Sequence, residues 1–297
     1  MRLTRDNDAR VEFPTTLNDK LLLARENTMA EITAAMVKSL RDKTQLPMME
    51  CKKALTEADG DEEKAIELLR KKGKAKMGSR TDRETAEGRI AIYKSANGST
   101  GMVELLCESA PVAGNDQFVA LADALAKQLA EGPGAATPEE LLAQGDLQQQ
   151  FDDLMNKIRE VFKIPRILRV EGSVGTYVHH DAKVGVILEV EGDNVEVANS
   201  ICMQVCAMTP SAVSSEDLDP EVLKKEREIA EEQTRVANAG KPDNIIAKIV
   251  EGRIKAVLKE ICLVDQPFIV DGSKTVGQAA QEAGLKVKKF YRWGVGR

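Results

Sequence analysis

Glu87-Gly88-Arg89-Ile90-Ala91-Ile92-Tyr93-Lys94 and Met102-Val103-Glu104-Leu105-Leu106-Cys107, separated by an Asn97-Gly98 pair, decide the fold of this chain. Ile90 and Ile92 recur with the period of two of a half-buried strand, and Asn-Gly supplies the positive φ angles that a tight hairpin turn demands. The pair of runs therefore predicts a β-hairpin. A second stretch, 171–190, has the same look: Glu87, Gly88, Tyr93 and Gly101 recur as Glu171, Gly172, Tyr177 and Gly185, each 84 positions further on. Ile90/Val174 and Val103/Ile187 follow the same offset, which predicts an internal duplication with Tyr93 over Tyr177 and Gly101 over Gly185. Helical stretches follow both copies, at 116–131 and 195–208. Two sheet-plus-helix halves then make a pseudo-symmetric core.

Outward from that core, the N-terminal side is helical. Ile32, Met36, Val37 and Leu40 form one apolar stripe, and Pro47 opens a second helix whose inner face is Cys51, Ala54, Leu55 and Ala58. Gly60 closes it, Asp61 to Glu63 suit the positive end of a third helix, and Gly73 is expected to stop that helix after Arg70, Lys71 and Lys72. Residues 30–73 thus read as a compact three-helix unit. Residues 74–86, with Lys74, Lys76, Arg80, Arg83, Gly78 and Ser79, read as a flexible basic linker, or as a contact for an acidic surface.

The core divides into a first subdomain, 87–165, and a second, 166–209. Beyond Pro220 the chain is charged and helix-favouring, and Gly240-Lys241-Pro242 turns it into a second helix ending near Cys262. This predicts an antiparallel helical hairpin over 210–264 that projects as a contact arm, followed by a segment, 265–297, returning to the core. The expected class is α+β. Residues 1–29 hold balanced charges without an apolar core, so they read as a disordered tail or an upstream start, with Met29 as an alternative initiator.

Composition narrows the function. The 297 residues carry 48 acidic against 42 basic side chains, a net charge of −6, which lacks the excess that phosphate neutralisation asks of a nucleic-acid binder. Apolar runs of a few residues fall far short of the ~20 that span a bilayer. Five scattered cysteines without a C-x-x-C pair favour neither disulfides nor zinc, and point to a reducing, cytoplasmic compartment. The two histidines, His179 and His180, fall at the tip of the second hairpin, a poor place to exclude water around a base. Gly272-Ser273-Lys274-Thr275 lacks the second glycine of a phosphate loop. No catalytic residue, metal ligand, cofactor or small-molecule substrate is expected; the residues alone give an interaction protein.

Ala30-Glu31-Ile32-Thr33, Met48-Met49-Glu50-Cys51-Lys52-Lys53-Ala54-Leu55, Tyr177-Val178-His179, Gly240-Lys241-Pro242, Glu251-Gly252-Arg253, Gln266-Pro267-Phe268 and Lys274-Thr275-Val276-Gly277, in this order, resemble the bacterial elongation factor Ts family over residues 29–297. The resemblance implies a guanine nucleotide exchange factor for the GTPase elongation factor Tu, with the three-helix unit as a UBA-like module. It implies that Met49, Lys52 and Lys53 of that module meet the partner, and Tyr177 and His179 at the second hairpin. It also implies that Ser109-Ala110-Pro111-Val112 occupies the exchange element. Here the sequence departs from the family, whose Thr-Asp-Phe-Val carries an aromatic wedge and an acid that disturbs the magnesium site. Either Pro111 serves as the wedge, or the chain holds the GTPase as a chaperone with weak exchange. A thiol enzyme using Cys107 or Cys202 with His179 is a third reading.

Overall fold

The structure, a computed structural model, describes residues 31–80 and 82–296; the expected tail at 1–29 and the Met29 start lie outside the described residues. It divides into two compact units meeting in sequence between Lys76 and Met77. The chain is α+β, as read.

In the smaller unit, α1 is Ala34–Thr44, α2 is Met48–Glu57 and α3 is Glu62–Gly78. The Thr33 hydroxyl caps α1 by accepting from the Met36 amide at 3.3 Å, and Gln45 leaves the helix in the left-handed region. Leu40, Cys51, Ala54, Leu55, Ala65 and Leu69 form the core. The expected stop at Gly73 is absent. Leu69, Gly73 and Met77 are all buried at four-residue spacing, so Gly73 lies on the inner face of one long helix rather than at its end. The residues read as a basic linker therefore begin on this helix, where Lys76 pairs with Glu50 at 4.0 Å, one turn beyond the pair of Lys72 with Glu57 at 2.7 Å.

The larger unit holds two three-stranded antiparallel sheets. β1 (Glu87–Lys94), β2 (Ser99–Cys107) and β3 (Ile167–Glu171) form the first in that order; β4 (Val174–Val178), β5 (Val184–Glu191) and β6 (Lys286–Gly294) form the second. A one-turn helix, α4 (Ala110–Ala113), precedes α5 (Asp116–Glu131); α6 (Pro138–Leu142) and α7 (Leu147–Ile158) follow. Phe118, Leu121, Leu125 and Leu129 of α5 pack on Ala91, Val103 and Leu105. On the second sheet, α8 (Val195–Met208) sets Ile201, Cys202 and Val205 against Val186, Leu188 and Val190. Ile90, Met102, Val170, Val174 and Ile187 fill the space between the sheets. The layers run helix, sheet, sheet, helix, and the alternation of side chains along β1 and β2 is what feeds both interfaces.

Two readings of the core need correction. Residues 167–171, assigned from sequence to the second subdomain, pair with β2 and complete the first sheet. The ungapped duplication also fails by one residue. Tyr93 lies opposite Gly101, but Tyr177 lies opposite Val186, with Gly185 opposite Val178. Tyr93 and Tyr177 both face their own helix, whereas Gly101 faces α5 and Gly185 faces Ile90 across the sheets. A turn one residue longer in the second hairpin shifts the second strand by one, and a shift of one inverts every side chain. The repeated hairpin-plus-helix plan is present; the correspondence of Gly101 with Gly185 and of Val103 with Ile187 is not.

After α8, α9 (Pro220–Ala237) and α10 (Asp243–Ile261) form a helical hairpin around Ala230, Ile246, Val250 and Ile254. Its base is closed by a bridge between Ala212 and Cys262. α11 (Val276–Glu282), capped by Thr275, returns the chain to the second sheet.

Candidate functional site

β2 is buried along its whole length and ends at Cys107, so the chain must leave the core there. Ser109 is extended, and Ala110-Pro111-Val112-Ala113 form the single turn α4, with proline at a position where its missing N–H costs nothing. The segment is therefore a helical turn rather than an open loop. Ala110 and Pro111 are exposed, while Ser109 and Val112 are half-buried, Val112 against the Phe118 and Leu121 cluster. Asn115 then caps α5 through the amides of Gln117 and Phe118.

What holds this apex is a pair of carboxylates. Glu160 Oε2 accepts from the amides of Glu108 and Ser109, both at 3.1 Å, and its Oε1 accepts from the Ser109 hydroxyl at 2.6 Å. In return Glu108 accepts from the Val161 amide at 2.8 Å and from Arg83 Nη1 at 2.9 Å. Burial pushes the Glu108 carboxyl up, but the Val161 amide and Arg83 outweigh it and leave the group below the usual range. Arg80 Nη1 donates to the Arg159 carbonyl and Lys163 Nζ to the Arg83 carbonyl. The segment read as a free linker is thus docked, at Arg80 and Arg83, beside the 108–113 turn.

At the second hairpin, His179 and His180 lie in the turn between β4 and β5. Tyr177 and His179 are half-buried and joined by a 3.3 Å hydrogen bond between the phenol oxygen and Nδ1, and His180 is exposed. This turn reaches the first sheet, since the Ile90 amide donates to the Ala182 carbonyl and Lys183 Nζ pairs with Glu87 at 2.8 Å. Glu87 lies opposite Cys107 in the β1–β2 ladder. The Tyr177 and His179 turn and the Ser109 to Val112 turn therefore occupy the same end of the core.

In the smaller unit, α2 turns Cys51, Ala54 and Leu55 inward, leaving Met48, Met49, Lys52 and Lys53 exposed. Met49 is 64% exposed, unusual for so large an apolar side chain and suited to a contact surface flanked by two cations.

The thiol reading has no geometric support. Burial pushes Cys107 up to about 12, and its Sγ donates to the Ser109 carbonyl at 3.3 Å; Cys202 is wholly buried and its thiol is also pushed up by burial. Lys274 pairs with Glu282 and Thr275 belongs to a capping box, which accounts for the phosphate-loop-like run structurally. Among the described residues no group of three or more His, Cys, Asp or Glu is arranged to hold a metal ion, and no helix is long and apolar enough to cross a membrane.

Glu160 and Glu108 escaped the sequence reading, which placed Arg83 in a basic linker without its partner Glu108. Contacts linking positions some 50 residues apart leave no periodicity; the only local trace was a charged pair, Arg159-Glu160, just past the last apolar position of α7.

Residues 111–297 match the family described as elongation factor TS. The chain is similar to elongation factor Ts of Alkalilimnicola ehrlichii, 41% identical over 275 residues, covering 89% of this chain and 92% of the relative. Elongation factor Ts of Clostridium botulinum is 40% identical over 282 residues, covering 88% and 92%, and that of Burkholderia thailandensis 42% identical over 277 residues, covering 90% and 92%.

Proposed function

The chain belongs to the elongation factor Ts family, and on that premise we propose that it binds elongation factor Tu carrying GDP and promotes GDP release so that GTP can load. It makes and breaks no covalent bond. Exchange is a coupling of two binding equilibria: the factor holds the nucleotide-free GTPase more tightly than the GDP-bound one, and each 1.4 kcal/mol of that difference weakens GDP about tenfold.

The observation that carries this reading is the exposed apex Ala110-Pro111, held on a turn whose backbone is fixed by Glu160. A pyrrolidine ring with φ near −65° on a clasped turn is a rigid apolar plug, smaller than an aromatic ring but without its rotamer freedom. Ala110 brings no carboxylate to the magnesium site, so release proceeds by displacement of the partner's backbone rather than by charge. Tyr177 and His179 act at the same end of the core as a second contact. On the smaller unit, Met49 with Lys52 and Lys53 offers an apolar anchor between cations, which suits an acidic rim on the GTPase. The three-helix unit serves as the UBA-like module of the family, the helical hairpin as an accessory arm, and the cytoplasm is the compartment. The partner is a protein; no nucleic acid, cofactor or small molecule is required.

Stopped-flow release of fluorescent GDP from elongation factor Tu tests it. The expected outcome is a rate that rises with this protein to a plateau, and that is maintained or increased when Ala110→Asp and Pro111→Phe restore the family pair. A release rate unchanged by saturating protein overturns the proposal.

A further inference from the structure

Ser109 stands at the N-cap of α4, where a serine hydroxyl ordinarily accepts from an amide of its own first turn. It makes no such bond; the hydroxyl donates instead to Glu160 at 2.6 Å. Glu160 reaches it because Arg159 ends α7 at φ +69, a left-handed conformation that costs a non-glycine residue roughly 1 kcal/mol. The strand-like run after it is locked in place: Leu106 and Lys163 exchange both backbone hydrogen bonds, at 2.8 and 3.1 Å, and Glu108 accepts from Val161. One carboxylate thus collects three donors from the two residues that precede the apex, while the apolar footing of the turn is the half-buried Val112 and Ala113, with a long 3.5 Å hydrogen bond from Arg89 Nη1 to the Ala113 carbonyl at its far end.

We propose that Glu160 is a positioning residue for exchange: its carboxylate sets the orientation in which Pro111 is presented, and it acts through Ser109 without meeting the partner. This deepens the exchange reading and rests on it. A turn with so little apolar footing keeps its place in the fold without Glu160 but not its direction. Misplacing a group of this kind by about 1 Å costs up to ~100-fold in rate. The loss falls on the plateau rate, since the surfaces that dock the two proteins are elsewhere.

The test pairs kinetics with amide exchange in the full chain. In Glu160→Ala the plateau rate of GDP release is expected to fall about tenfold or more, within the ~100-fold bound for a misplaced group. The half-saturating concentration and the melting temperature are expected to stay close to wild type, and the Ser109 amide to lose hydrogen-exchange protection. Glu160→Gln, whose amide oxygen still accepts from the two backbone amides, is expected to recover most of the rate. Ser109→Ala, losing one bond of three, is expected to fall between. Unchanged release by Glu160→Ala, with Pro111→Gly slowed, overturns the positioning role and leaves the exchange reading standing. Retained Ser109 protection in Glu160→Ala overturns it in any case. If wild type itself fails to accelerate release, the exchange reading fails instead.

Discussion

Adding one methyl group at Gly101 tests the layered packing of the first half. A Cβ built there lies 2.4 Å from the Ala126 carbonyl oxygen, 3.1 Å from the Ala130 amide nitrogen and 3.2 Å from the Leu129 Cβ, so α5 rests directly on the β2 backbone. Ordinary contact begins near 3.4 Å, so the helix must lift by roughly 1 Å, and the obstacle is helix backbone that cannot rotate aside. Overpacking of this kind costs about 1–3 kcal/mol. Helix backbone that cannot rotate aside puts this site at the upper end of that range, and reduced freedom of the unfolded chain returns up to ~1 kcal/mol, so Gly101→Ala should destabilise by about 2 kcal/mol. For a unit of this size that is a fall of about 4–8 °C in Tm. Gly252, exposed on α10 with nothing within 4 Å of an added Cβ, should respond to the same change with a gain of about 0.5–1 kcal/mol. Calorimetric melts of both variants decide it. A Gly101→Ala protein within 0.5 kcal/mol of wild type would mean that α5 does not sit on β2 as described.

Lys52→Glu and Lys53→Glu should leave Tm unchanged and weaken binding to the GTPase by about 3–10-fold at low salt, converging with wild type as salt rises, because rim charges act mainly on association; calorimetric titration at two ionic strengths checks this. The Glu108 carboxyl is held below its unfolded value, so its stabilisation is complete above the unfolded pKa and is lost as pH falls through the lower folded one. The stability of wild type over Glu108→Gln should therefore shrink on acidification below about pH 4.5, read from denaturant unfolding at a series of pH values. Of the five cysteines only Cys206 is not buried, so one thiol should react quickly with a disulfide reagent and Cys206→Ser should abolish that phase. A fast phase surviving in Cys206→Ser would contradict the burial of Cys107 and Cys202.

The hairpins, their flanking helices and the helical pair beyond them were legible because each is local: Ile90 and Ile92 announce a strand, and Asn97-Gly98 a turn. What was not legible depended on partners far along the chain. Ile167 to Glu171 reads as a strand, but nothing in it says that it adds to β2 rather than to β4. Gly73 looks like a helix stop because glycine usually is one; burial between Leu69 and Met77 reverses the meaning of the same residue. The repeat was found through identities that survive an offset, and the identities at Gly101 and Gly185 concealed a one-residue difference in the turns that only the ladder reveals. In the candidate site the apex residues came from a family resemblance, while the carboxylates that hold it came from geometry.

The bridge between Ala212 and Cys262 bears on how the second sheet is assembled. β6 has to find β5 across a long stretch of chain, and closing so distant a pair is slow because the entropy is lost before the contacts form. The helical pair is stabilised by its own cluster and zips by neighbouring contacts, so it is able to form early and bring its two ends together. Once the ends meet, the search that remains is roughly half as long, which lowers the closure cost by about 0.6 kcal/mol. Replacing α9 and α10 with a flexible loop of equal length should then slow refolding of the second half while leaving its final fold intact. The arm, whatever it touches in a complex, doubles as a splint for the strand that arrives last.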